Sequence, residues 1–233
     1  MPTSDIVWWA ELAKKLNIIS LLTFLIPLAV GLWRWASLAP AYRPLLWFAL
    51  VPGCIMGLLA EVGRYVFRNN IAYLHLVPLI ETLVLAWAYW HALPAPRTRR
   101  FLLAALGLFM VVFVGEAAYW HGFWRGQNGY THTIQTFVLL AFALLYFEQL
   151  LRELHTIRLE HDPMFLVSVG VMLYYAGTIM IFLLEGSMQR RLQTNQIWTM
   201  YIIQAVLLIV FNAFLTLALW HANRRPNPEL PLA

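Results

Sequence analysis

Glu61, Glu116 and Glu185, His75, His121 and His132, and Arg64 all fall toward the same end of long apolar stretches, while Glu81 falls near the middle of one. An ionisable group inside a membrane span costs several kcal/mol on most scales (roughly 2.5–3.5 on the lowest), so each is a functional hypothesis by default. Carboxylates and imidazoles grouped in this way can bind a small polar ligand, or respond to pH, since imidazole titrates near neutrality. They can also hold a metal that activates water, or pass a proton from group to group. Gln135, Tyr174 and Gln204 add neutral hydrogen-bonding partners to the same set.

Spacing divides the set. Glu61 and Arg64 are i,i+3 on a helix and share a face, as do His132 and Gln135. An ion pair that neutralises itself is the structural reading of the first. His75 and Glu81 are six apart, about 120° around a helix, so they face different ways unless Pro78 bends the chain. Glu81 is expected to meet a deeper partner, and the hydroxyl of Tyr174 or Tyr175 sits at a matching depth. Gln204, Asn212 and Thr216 lie near one stripe and read equally well as interhelical glue. Gly53 and Gly57 form a G-x-x-x-G close-packing signal.

A metal reading would take His75, His132, Glu116 and Glu61 as ligands, with zinc as the cofactor. No tight pair such as H-E-x-x-H supports it, and Cys54 is the single cysteine. A retinal Schiff base is excluded, because the only lysines are Lys14 and Lys15 and none lies in the last span.

The elements that must position these groups are helices in a lipid bilayer. The chain has 233 residues, of which 61% are hydrophobic and 12% charged, with a mean hydropathy of +0.67. Ordinary soluble domains carry about 25% charge. In lipid only helices or closed barrels satisfy the backbone, and long apolar runs without period-two alternation choose helices. Seven spans are expected in one domain covering 1–233: 16–36, 44–67, 71–93, 101–121, 132–154, 163–187 and 197–221. Each has the ~20 residues that cross a hydrocarbon core. Residues 6–13 read as a short interfacial lead-in. "EHDP" gives the sixth helix an Asp cap and a proline in its first turn.

Orientation rests on basic residues. Arg34, Arg43, Arg97, Arg99, Arg100, Arg152, Arg158, Arg224 and Arg225 fall on one side; Lys14, Lys15, Arg64, Arg68, Arg125, Arg190 and Arg191 fall on the other. Nine against seven, of 16 in all, favours the C-terminus in the cytoplasm and the N-terminus outside. The net charge of +5 thus serves topology and anionic lipid, and nucleic acid is not an expected partner.

Three stretches, "NNIAYLHLVPLIE", "DPMFLVSVGVMLYYAG" and "QIWTMYIIQAVLLIVFNAF", resemble a group of short uncharacterised bacterial seven-helix membrane proteins. The resemblance implies a bacterial inner-membrane protein and draws attention to Tyr73, His75, Glu81, Tyr174 and Gln204. Proteins of that group carry a histidine early in helix seven, which this chain lacks. The sequence thus leads to a sensor-like or ligand- or partner-binding membrane protein with a polar pocket in its outer half, signalling through a partner protein. A membrane-embedded metal-dependent hydrolase or transferase is the alternative, followed by a proton-coupled carrier.

Overall fold

The computed structural model describes residues 3–68, 70–120, 129–152, 159–190 and 194–222, and all its regular elements are helical. The α-helices are α1 (Thr3–Leu22), α2 (Leu25–Trp33), α3 (Arg43–Phe48), α4 (Gly57–Val62), α5 (Ile71–Ala92), α6 (Pro96–Gly115), α7 (Gly129–Arg152), α8 (Pro163–Arg190) and α9 (Thr194–His221).

The first two pairs are broken rods. α1 and α2 continue one another across Thr23–Phe24, where Pro27 has no N–H to return to the Thr23 carbonyl. Ile26 N–H takes that carbonyl instead, at 3.1 Å, and the Thr23 hydroxyl donates to the Ser20 carbonyl at 2.6 Å. The expected lead-in over 6–13 is simply part of α1, because nothing between Ala10 and Leu16 interrupts helix formation. The second rod begins with the 3₁₀ turn Pro40–Tyr42 and alternates α3 and α4 with π segments at Ala49–Met56 and Gly63–Phe67. Pro52 lies inside the first π segment, where its missing donor is absorbed by the wider winding. The rod stops at Arg68, whose φ of 53° is left-handed.

Six described helical stretches are long and apolar enough to cross a membrane: Trp8–Trp33, Pro40–Phe67, Ile71–Ala92, Pro96–Ala118, Gly129–Arg152 and Gln196–His221. Within α8 the apolar described stretch is Pro163–Ile179. α9 packs against α8, α1, α2 and α3; α7 packs against α8, α6 and α5; and α5 packs back on α3. The bundle therefore closes on itself, with α6 flanking α5 and α7.

Around an apolar core, its surface is apolar where a water-soluble protein's is polar. Leu22, Trp33, Leu58, Phe67, Leu103 and Val111 are exposed, whereas Thr82, Glu116, Thr136, Ser168 and Thr178 are fully buried. Contiguous apolar surface on this scale is uncommon on a soluble monomer and belongs in a bilayer. Arg34 over Trp220, Arg43 over Trp35 and Arg99 over Trp90, at 5.0, 5.1 and 4.8 Å, mark one end of the bundle as interfacial.

Only one half of the G-x-x-x-G is used for close approach. A Cβ on Gly53 would lie 2.3 Å from the Phe24 ring, but one on Gly57 would meet nothing closer than 3.5 Å. Gly53 is one of the places where the two broken rods touch.

Candidate functional site

Glu81 lies on α5 and is reached from two other helices. Gln135 Nε2 on α7 donates to its Oε2 at 2.9 Å, and the Tyr175 hydroxyl on α8 donates to the same oxygen at 3.1 Å. Both bonds fall on Oε2 and Oε1 takes neither. Gln135 Nε2 also reaches the Pro78 carbonyl at 3.3 Å, and the Thr82 hydroxyl donates to that carbonyl at 2.6 Å. Pro78 and Thr82 are on α5 itself, so the helix offers its own backbone oxygen to the network.

The geometry fixes the Gln135 amide. Its nitrogen faces two acceptors, so its oxygen must face the other way, and His132 Nδ1 lies 3.2 Å from Oε1. An amide oxygen only accepts, so His132 carries its proton on Nδ1. The His132 ring in turn lies within electrostatic reach of His75, which is buried on α5.

A run of hydrogen bonds therefore joins His132, Gln135, Glu81 and Tyr175, and Tyr175 packs edge-on against Tyr174 at 4.9 Å. Tyr174 also lies within electrostatic reach of Gln204 on α9. α7 reaches Glu81 through Gln135. Of the two tyrosines, Tyr175 makes the bond to Glu81.

Other residues of the expected set take local partners. Arg64 donates to Glu61 at 2.5 Å and to the Tyr65 hydroxyl at 3.1 Å, with both charged side chains partly exposed on the second rod. They form a self-contained surface pair. Glu116, fully buried, accepts the Tyr130 N–H at 3.2 Å and the Thr131 N–H at 2.7 Å. It caps α7 from the end of the preceding helix, which satisfies donors that every helix start leaves open. Among the described residues no three His, Cys, Asp or Glu side chains come together as a metal-ligand set. His75, His132, Glu116 and Glu61 are thus not assembled as one centre. Glu185 lies within α8, but its side chain, like all of His121, falls outside what is described.

Of two further polar contacts, the first was not legible in the sequence and the second uses Asn212 as the interhelical glue expected of it. The Tyr89 hydroxyl and Ser168 Oγ, both fully buried, are 3.0 Å apart and tie α5 to α8. Asn212 Nδ2 on α9 donates to Thr23 Oγ1 at 2.7 Å, holding the break between α1 and α2. Thr216 bonds its own helix through the Asn212 carbonyl at 2.7 Å.

The fold and this interior together define an all-helical protein with six described helical stretches apolar enough to cross a membrane and a polar network across helices. Comparison of the chain with protein-family models, with curated proteins and with solved structures finds no match.

Proposed function

We propose that this chain is a seven-span protein of the bacterial inner (cytoplasmic) membrane that binds a polar ligand or a partner through the interior network around Glu81. The observation that carries the reading is the Glu81 carboxylate, held on one oxygen by Gln135 and Tyr175 from two other helices. A group that links three helices changes their packing when its own bonding changes. It suits a protein that reports occupancy to a partner.

The count of seven is favoured by α8. This helix has 28 residues, about 42 Å at ~1.5 Å per residue, and it packs between α7 and α9. The charge bias favours the N-terminus outside and the C-terminus in the cytoplasm.

Catalysis by a bound metal ranks second. Metal analysis of the purified protein separates the two readings. Binding without catalysis predicts no stoichiometric metal. One equivalent of zinc that disappears in both His75→Ala and His132→Ala would overturn it in favour of a hydrolase or transferase. A carrier would instead show pH-dependent uptake in liposomes that is abolished by Glu81→Gln.

A further inference from the structure

A second polar site lies at the opposite end of the bundle from His75 and His132. There the C-terminal ends of α5 and α7 meet the start of α8 and the 3₁₀ turn Pro40–Tyr42 around a cavity of about 170 Å³. That is several times the ~30 Å³ share of one water molecule. Ala41, Ala88 and Ala92 make the room by being small, and Tyr42, Tyr146 and Asp162 supply the chemistry.

Among the described residues of the lining, Asp162 is the one formally charged side chain. The Tyr146 hydroxyl donates to both its oxygens at 2.8 Å, and the Phe165 N–H donates to Oδ1 at 2.9 Å. These partners are neutral and leave acceptor capacity on Oδ2, since a carboxylate has about four acceptor positions. His91 Nε2 is engaged by Trp87, whose Nε1–H donates to it at 3.0 Å. Among the described residues Arg34, Arg43 and Arg99 lie over indoles, Arg152 pairs with Glu148, and no arginine lines the cavity.

We propose that this cavity binds a small organic ammonium group, through charge pairing with Asp162 and contact with the tyrosine rings. A carboxylate with two tyrosines favours such a cation electrostatically and through the ring faces. A hard metal ion would need six to eight oxygen ligands, far more than Asp162 supplies. The cavity opens at the depth of the Arg–Trp belt, where an ammonium can come from a free amine or from an aminophospholipid headgroup.

Equilibrium binding to the purified full chain in detergent, with ethanolamine as probe and ethylene glycol as neutral control, tests the proposal. A parallel arm measures thermal stability in nanodiscs of phosphatidylethanolamine against phosphatidylglycerol. Saturable binding of ethanolamine, at least tenfold tighter than the control, would identify a free-amine site. Stabilisation by phosphatidylethanolamine without free-amine binding would identify the headgroup. In either arm Asp162→Asn, which keeps a competent helix cap, is expected to weaken the effect at least tenfold. Ala92→Leu narrows the cavity while leaving the carboxylate, and is expected to do the same. It carries the test should the Asp162 variant fail to fold. Undiminished binding in the folded variants, or no preference for the ammonium in either arm, would overturn the proposal.

Discussion

At the scale of single residues, the interior carboxylates divide by what holds them. Glu116 is held by backbone N–H groups at a helix start, so its role is structural. Glu116→Ala should cost about 0.5–2 kcal/mol, the range for losing a helix cap. Amide hydrogen exchange should speed up at Tyr130 and Thr131, while Glu116→Gln, which keeps one acceptor, should lose less. Glu81 is held by side chains, and there the order of cost should follow the bonds removed. Gln135→Leu strips a donor from Glu81 and from the Pro78 carbonyl and should cost about 1–3 kcal/mol. Tyr175→Phe removes a single hydroxyl and should cost about 0.6 kcal/mol, the average for an interhelical bond in a membrane. Thermal unfolding in detergent ranks the two. The sequence made Glu81 conspicuous because charge in an apolar run is visible at once. It could not show that Glu116 is a cap, because a bond across 14 or 15 residues has no helical period to reveal it.

At the scale of elements, the long apolar runs made the helices legible, and the "EHDP" cap appears as expected, with Asp162 on the Phe165 N–H. The irregularities were less legible. A π segment satisfies its backbone much as an α-helix does, so its side-chain pattern gives little warning, and Pro52 alone hinted at it. G-x-x-x-G was visible, but which glycine it served depended on where Phe24 would pack. Gly53→Ala should destabilise by about 1–3 kcal/mol through overpacking against that ring. Gly57→Ala should be neutral or stabilising, since helical glycine itself costs about 1 kcal/mol relative to alanine. A Phe24→Leu background should recover part of the Gly53→Ala loss; urea or thermal titration of the four proteins measures it.

At the scale of the whole molecule, the apolar exterior and the pairing of the few buried polar groups follow from one condition. Lipid solvates the outside, so polar groups must find partners within. Composition announced that condition before any residue was placed. A tyrosine partner for Glu81 was legible from depth, but the Gln135 partner was not, because Gln135 reaches Glu81 only once α7 lies beside α5. An odd number of spans puts the two termini on opposite sides. In a Cys54→Ser background, a membrane-impermeant maleimide should label Ser4→Cys on intact cells and Asn227→Cys only after permeabilisation. Equal labelling would remove the seventh span. The central claim, that Glu81 joins α5 to α8 inside the bundle, is tested most directly by a double-mutant cycle between Glu81→Met and Tyr175→Phe in bicelles. Leu83→Ala with Phe137→Ala, both exposed on the outside, serves as control. The predicted coupling is about 0.5–1.7 kcal/mol for the first pair, with the control additive within about 0.3 kcal/mol. Additivity between Glu81 and Tyr175 to the same margin would contradict it.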